Sequence, residues 1–270
     1  MLCFPNSKIN LGLYVTRRRE DGYHDIETIF YPLSFHDSLE IVPATETQLH
    51  LSGLKVGSNL QENLVWKAYK MLEERYPGKI PALNIYLHKA IPMGAGLGGG
   101  SADGAFMLKL INDFCNLHID KPTLAAMALE LGSDCPFFIY NTPQLATGRG
   151  ELMTNISVDL SAYSLQLICP KVHVSTRDAF GMMIPKSASF DLRHLGTLPV
   201  SRWKGNISND FETPVFSHHP VLATIKQQLY DQGAIYASMS GSGSALYGIF
   251  PKGQRAVITA DVVFKDVFME

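Results

Sequence analysis

From Ser7 to Val15 the chain alternates strictly: Ile9, Leu11, Leu13 and Val15 point one way, and Lys8, Asn10, Gly12 and Tyr14 the other. A period of two predicts a β-strand with a polar working face. Asp21-Gly22 is a turn signal, and Ile26 to Leu33 reads as a second strand, antiparallel to the first. Between Asn63 and Arg75, the apolar positions Leu64, Val65, Ala68, Met71 and Leu72 recur at helical spacing, and Pro77-Gly78 ends the helix. Leu83, Ile85 and Leu87 predict a strand running into a glycine-rich loop, Pro92 to Ser101. Helical patterns follow from Ala102 to about Phe114 and from Thr123 to Leu131, with a short helix beginning near Cys135-Pro136. The pattern restarts near residue 160 with the strand Leu165 to Cys169, which predicts two domains, 1–160 and 161–270. A helix from Pro220 to Gln232 then precedes a second glycine loop, Ala237 to Ser244, leading into a strand from Ala245 to Phe250. Mixed helices and strands with an antiparallel early pair predict the α+β class.

Composition excludes several partners. The 270 residues carry a net charge of −2, so no global basic field attracts nucleic acid or anionic lipid. The one basic run, Arg17-Arg18-Arg19, is followed at once by Glu20 and Asp21 and reads as a solvated turn. Cys3, Cys115, Cys135 and Cys169 are scattered with no C-x-x-C pair, which argues against a zinc cluster or a disulfide framework. No apolar run approaches the ~18 residues of a membrane span. The stretch Ile9 to Val15 contains Asn10 and has no basic region before it, so it does not read as a signal peptide. The expected address is the cytoplasm, with neither nucleic acid nor membrane as partner.

The segment Gly94 to Ser101 carries the strongest chemical signal. Five of the seven residues from Gly94 to Gly100 are glycine. Glycines let backbone N–H groups approach an anion, and a following helix N-terminus adds unpaired donors and a positive dipole end. A phosphate is the natural guest. A P-loop would need lysine where Gly100 stands, so that motif fails. Gly94, Gly96 and Gly99 satisfy the dinucleotide fingerprint, with Asp120 at about the expected ~20-residue offset. The run Leu117-His118-Ile119 before it, however, is too short and polar for a buried parallel strand.

Three segments in this order resemble the GHMP kinases: Ser7-Lys8-Ile9-Asn10-Leu11, Pro92 to Ser101, and Ser238 to Ser244. Asp21-Gly22-Tyr23-His24, Gly132-Ser133-Asp134-Cys135-Pro136-Phe137 and Asn209-Asp210 are similar to the branch that phosphorylates the cytidine diphosphate ester of methylerythritol on its 2-hydroxyl, in non-mevalonate isoprenoid precursor biosynthesis. The resemblance covers nearly the whole chain. It implies a two-domain fold, with an N-terminal part like the second domain of ribosomal protein S5 and a ferredoxin-like C-terminal part. It implies ATP, bound by Pro92, Met93, Gly94, Ala95, Gly96, Leu97, Gly98, Gly99, Gly100, Ser101 and Ala102, with Asn63 and Lys89 at the adenine. Lys8 and Asp134 match the catalytic pair. Asn10, Tyr23, His24 and Phe180 match substrate-binding positions, the last three around cytosine, and Gly241, Ser242 and Gly243 match the loop near the substrate diphosphate. The segment Ser175 to Gly181 departs from the proline-rich version common in the family. ATP implies Mg²⁺, with no protein ligand identifiable from the sequence.

The residues themselves allow plainer roles. Asp134 follows a helix-ending glycine and precedes Cys135-Pro136, where an N-cap sits. The helix dipole there also favours an ionised carboxylate that can accept a hydroxyl proton. Lys8 on a strand is ordinarily a solvated charge, yet on this face it can pair with Asp134 and neutralise a phosphate. Tyr23 and His24 read equally as a turn aromatic and a surface histidine, or as a stacking face and hydrogen-bonding partner for a base. A diphosphomevalonate-type decarboxylase and a non-catalytic ATP sensor remain as rivals. Asp21 to His24 speaks against the first, and the Lys8–Asp134 pair against the second.

Overall fold

In the computed structural model, which describes residues 1–55, 57, 59–260 and 263–270, the alternating segment near the N-terminus forms a long strand. The chain begins with β1 (Leu2–Cys3), β2 (Asn6–Arg18), β3 (His24–His36), β4 (Ser38–Pro43) and β5 (Gln48–Gly53). It continues through α1 (Leu64–Arg75), β6 (Leu83–Lys89), α2 (Gly99–Phe114), α3 (Lys121–Leu131) and α4 (Cys135–Tyr140). Then come β7 (Gln144–Thr147), β8 (Leu152–Asn155), β9 (Tyr163–Pro170), α5 (Thr176–Gly181), α6 (Glu212–His218) and α7 (Pro220–Asp231). The strands β10 (Tyr236–Met239), β11 (Leu246–Pro251) and β12 (Val263–Met269) end the chain.

Two compact units interleave along the sequence. One comprises residues 1–8, 32–93 and 98–142, the other 9–31, 94–97 and 143–270. A single cut near residue 160 does not separate them, because β2, β3 and the first glycine loop each give residues to both.

The first unit is built on a sheet of order β1-β4-β6-β5, with β4 antiparallel and β5 parallel to β6. Leu39, Ile41, Leu83, Ile85 and Leu87 are its buried alternate positions, and they share the core with Val65, Ala68 and Leu72 of α1 and Met107, Leu108 and Ile111 of α2. The period-two and helical stripes of the sequence are thus the two sides of one core. At Gly104 an added Cβ would lie 2.9 Å from Leu64 Cβ, so α1 and α2 approach too closely there for any side chain. Asp120, the candidate acid of the dinucleotide fingerprint, caps α3 by accepting the Thr123 N–H at 2.9 Å.

In the second unit β9 to β12 form a sheet of order β10-β11-β9-β12, antiparallel throughout. Numbered from β9, that order is 2-3-1-4, the ferredoxin-like arrangement, although the described residues between β11 and β12 form no helix. The α7 face of Leu222, Ile225 and Leu229 packs into the same cluster as Met239, Leu246 and Phe250. A second sheet, β2-β3-β7-β8, includes the expected early pair. The link between β2 and β3 is far too short for a parallel crossover, so the pair is an antiparallel hairpin.

Candidate active site

In the first unit β2 carries Lys8 into the interior, where only 3% of the residue is exposed. It is therefore not a solvated surface charge. A buried ammonium needs a counter-charge, and Lys8 Nζ lies 3.5 Å from Asp134 Oδ2, whose side chain stays 35% exposed. Burial lowers the Lys8 pKa, and the Asp134 carboxylate opposes that shift. Asp134 occupies the N-cap position of α4, but its side chain makes no capping bond. Plain capping does not account for this aspartate. Its carboxylate faces the lysine and keeps an exposed edge.

Helix α2 begins at Gly99, three residues earlier than the sequence pattern indicates, so the last glycines of the loop are its first turn. Its N-cap is Gly98, in the left-handed region at φ 70°, and no side chain caps the helix. A Cβ at Gly98 would meet Phe138 Cζ at 2.9 Å and Lys8 Cγ at 3.1 Å, so the lysine stem lies directly against the loop. The first-turn N–H groups of Gly99, Gly100 and Ser101 thus form an uncapped helix start beside the Lys8–Asp134 pair. Such a start attracts an anion. Ser101 also bonds the Cys135 thiol, which burial pushes up to about 12, leaving that cysteine chemically quiet. Pro92 is half-buried, Met93 is exposed, and the Ala102 N–H is spent on Gly98 O at 2.9 Å.

Lys89 ends β6 as a buried residue. Its side chain is 1% exposed and its ammonium is held by Asp37 and by Asp103, the latter at 2.6 Å. With its ammonium committed to two buried carboxylates, Lys89 has only its backbone left to offer a ligand. Asn63 serves as the N-cap of α1, its Oδ1 accepting the Val65 N–H at 2.9 Å.

In the second unit, residues Gly94 to Leu97 pack against the second glycine loop. The Ala245 N–H donates to Ala95 O at 3.1 Å, and Ser240 Oγ donates to Gly96 O at 2.8 Å. Gly96 has φ 78°, and a Cβ there would fall 2.0 Å from Ser240 O. Backbone contact with Ser240, rather than only a ligand, demands glycine at this place. Leu97 is core. Gly94 lies against His173, whose imidazole would be 3.6 Å from an added Cβ.

Asn10 is 2% exposed. Its Nδ2 donates to Thr28 Oγ1 at 2.9 Å, its N–H to Ser240 Oγ at 3.3 Å, and its carbonyl accepts the Tyr247 hydroxyl at 2.8 Å. It braces the second loop. Asn209 Nδ2 does the same, donating to Met239 O and Gly241 O at 2.8 Å each. Gly241, Ser242 and Gly243 follow β10 in this loop, and Ser242 Oγ meets Thr176 Oγ1 at 3.1 Å.

His24 and Phe180 come together, their rings stacked with centroids 5.2 Å apart, and Phe180 sits edge-on to Phe211 at 4.8 Å. Burial, then the nearby charge of Arg18, lowers the His24 pKa and favours the neutral imidazole, which can donate and accept. Tyr23 is 57% exposed. The Arg149 guanidinium lies over its ring at 5.0 Å. Sequence reasoning missed Arg149, although Gly148-Arg149-Gly150 is a turn signal that presents a charge. It also missed Asp37, Asp103, His173 and Thr176, none of which has a local signature.

Comparison with known proteins bears on this geometry. Residues 63–142 match the GHMP kinases N terminal domain, and residues 200–266 the GHMP kinases C terminal domain. A 4-diphosphocytidyl-2-C-methyl-D-erythritol kinase of Parabacteroides distasonis is 53% identical over 269 residues, covering 100% of this chain and 98% of its own. The kinase of the same name from Bacteroides fragilis is 49% identical, covering 94% of each chain. A crystal structure of 4-(cytidine 5'-diphospho)-2C-methyl-D-erythritol kinase superposes with a TM-score of 0.79 at 31% identity, covering 92% of this chain and 90% of that one. With its α+β architecture, its two glycine loops and its buried Lys8–Asp134 pair, the chain belongs to the 4-diphosphocytidyl-2-C-methyl-D-erythritol kinases of the GHMP kinase family.

Proposed function

We propose that the protein transfers the γ-phosphoryl group of ATP to the 2-hydroxyl of 4-diphosphocytidyl-2-C-methyl-D-erythritol, releasing ADP, as a cytoplasmic step of non-mevalonate isoprenoid precursor biosynthesis. The observation that carries the reading is the uncapped start of α2 with Lys8 laid against it and Asp134 beside Lys8. Phosphoryl transfer asks for positioning, charge neutralisation and a proton acceptor, and little covalent chemistry. The N–H groups of Gly99, Gly100 and Ser101 hold phosphate oxygens. Asp134, unspent as a cap, accepts the hydroxyl proton as the oxygen attacks phosphorus. Lys8 offsets the negative charge that accumulates, and the bond from phosphorus to the bridging oxygen of ADP breaks.

Tyr23, His24 and Phe180 recognise cytosine, Tyr23 and Phe180 by stacking and neutral His24 by hydrogen bonds to the base edge. The loop Gly241 to Gly243 faces the substrate diphosphate with its backbone, and Asn63 lies at the adenine. Mg²⁺ accompanies ATP. Among the described residues no group of three or more His, Cys, Asp or Glu is placed to hold a metal ion; Mg²⁺ would bind chiefly through phosphate oxygens and water, as it usually does. Among the described residues no helix is long and apolar enough to cross a membrane.

The test is ATP consumption by the purified protein with 4-diphosphocytidyl-2-C-methyl-D-erythritol, mevalonate, homoserine, galactose or diphosphomevalonate. Turnover with the cytidine ester alone, yielding its 2-phosphate without carbon dioxide, is the expected result. Carbon dioxide release from diphosphomevalonate would select the decarboxylase reading, and ATP binding without turnover on any substrate the sensor reading.

A further inference from the structure

The first unit contains a second charged cluster that the proposed reaction does not use. Asp37, in the link between β3 and β4, is 0% exposed, Lys89 at the end of β6 is 1%, and Asp103 on α2 is 3%. Lys89 Nζ donates to Asp37 Oδ2 and, at 2.6 Å, to Asp103 Oδ2. The other oxygen of Asp37 accepts the N–H groups of Ala90 at 2.5 Å and Ile91 at 2.8 Å. Those are the residues on which the chain leaves the sheet for the nucleotide loop. The Lys89 ammonium also lies under the first turn of α2, 3.3 Å from where a Cβ on Gly99 would stand.

Three ionisable groups taken out of water are costly, and well-packed apolar residues of equal volume usually serve stability as well or better. What an apolar cluster cannot do is accept two consecutive backbone N–H groups or set a cation beneath an anion-binding helix start. Asp103 Oδ1 is buried without a partner. Burial pushes this carboxyl up to about 8, with Lys89 opposing the shift and Asp37 adding to it.

We propose that Asp37, Lys89 and Asp103 form a positioning device for the nucleotide loop, in which Asp37 fixes the loop's departure at Ala90 and Ile91 and Lys89 supports the first turn of α2. The inference rests on the reading that this loop and helix start hold the ATP phosphates. None of the three touches substrate; they act through the backbone they hold.

Two variants test it, Asp37→Asn and the fully neutral combination of Asp37→Asn, Lys89→Met and Asp103→Asn. The second leaves no unpaired buried charge and keeps an amide oxygen for the two N–H groups, so it is the one to rely on if the first does not fold. Steady-state kinetics varying each substrate separately, with thermal unfolding, give the readout. We expect KM for ATP to rise about 10- to 100-fold, the scale on which a small misplacement acts, with KM for the cytidine substrate within about twofold and kcat at saturating ATP reduced far less. Folded variants with both KM values unchanged and only a lower Tm would make the cluster structural and overturn the proposal. Failure of the underlying reading looks different, because a folded Gly100→Ala variant would then bind ATP as tightly as wild type.

Discussion

Gly100→Ala separates what the loop glycines do for the fold from what they do for a ligand. Gly98 and Gly99 cannot accept a side chain on packing grounds, since a Cβ would meet Phe138 at 2.9 Å at the first and Ile91 Cγ2 at 2.8 Å at the second. At Gly100 a Cβ meets only Met93 Cε, at 3.5 Å, an ordinary van der Waals contact, and Gly100 is absent from the glycines with positive φ. The protein alone therefore tolerates alanine, and replacing glycine within a helix gains up to about 1 kcal/mol. Helical Cα–Cβ bonds tilt toward the N-terminus, so the new methyl projects into the space ahead of the first turn. If a phosphate sits there, one charge-assisted hydrogen bond, worth about 1.5–3 kcal/mol, is displaced. At 1.4 kcal/mol per tenfold, that is roughly a 10- to 150-fold loss of ATP affinity. Isothermal titration with ATP and a thermal melt on the same preparation decide the matter. A stable variant with unchanged ATP affinity would show that the start of α2 does not hold the nucleotide.

Three further outcomes follow from the same geometry. Gly96→Val should lower Tm as well as ATP affinity, because its Cβ would collide with Ser240 O in the second loop; a melt showing a fully stable variant would contradict that packing. Tyr23→Ala should raise KM for the cytidine substrate roughly 10- to 100-fold, from ~1–3 kcal/mol of stacking, while Tyr23→Phe and KM for ATP stay near wild type; equal losses for both substrates would point to misfolding instead. KM for the cytidine substrate should rise as pH falls through the lowered His24 pKa, where the imidazole gains a proton and loses its acceptor; a profile that is the same in His24→Gln would remove His24 from base recognition.

The strands and helices that were legible in the sequence are those with long periodic patterns, such as β2, α1, β6 and α7. The short strands β4, β5, β7 and β8 and the six-residue α5 offer too few positions for a period to stand out. The start of α2 was misread for a physical reason. Glycine is a poor helix former, and the pattern does not reveal that the first turn takes in Gly99, packed against Ile91, and Gly100. Asp134 was placed correctly at the head of α4, but whether its carboxylate caps the helix or meets Lys8 depends on β2, more than a hundred residues earlier in the chain. Lys89 shows the same limit more sharply. Its partners Asp37 and Asp103 lie 52 and 14 residues away, and no local pattern joins them. Burial of the polar face of β2 was likewise invisible, since alternation says which residues share a face and not what covers it.

The most direct measurement is single-turnover phosphoryl transfer by Asp134→Asn, beside its ATP affinity by titration. The substitution is nearly isosteric, and the wild-type carboxylate makes no capping bond that its loss would break. With Asp134 as the proton acceptor, ATP should bind as in wild type while the rate of phosphorylation of 4-diphosphocytidyl-2-C-methyl-D-erythritol falls by about 10² or more. A variant that binds ATP normally and transfers phosphate at close to the wild-type rate would contradict the assignment of Lys8 and Asp134 as the catalytic pair.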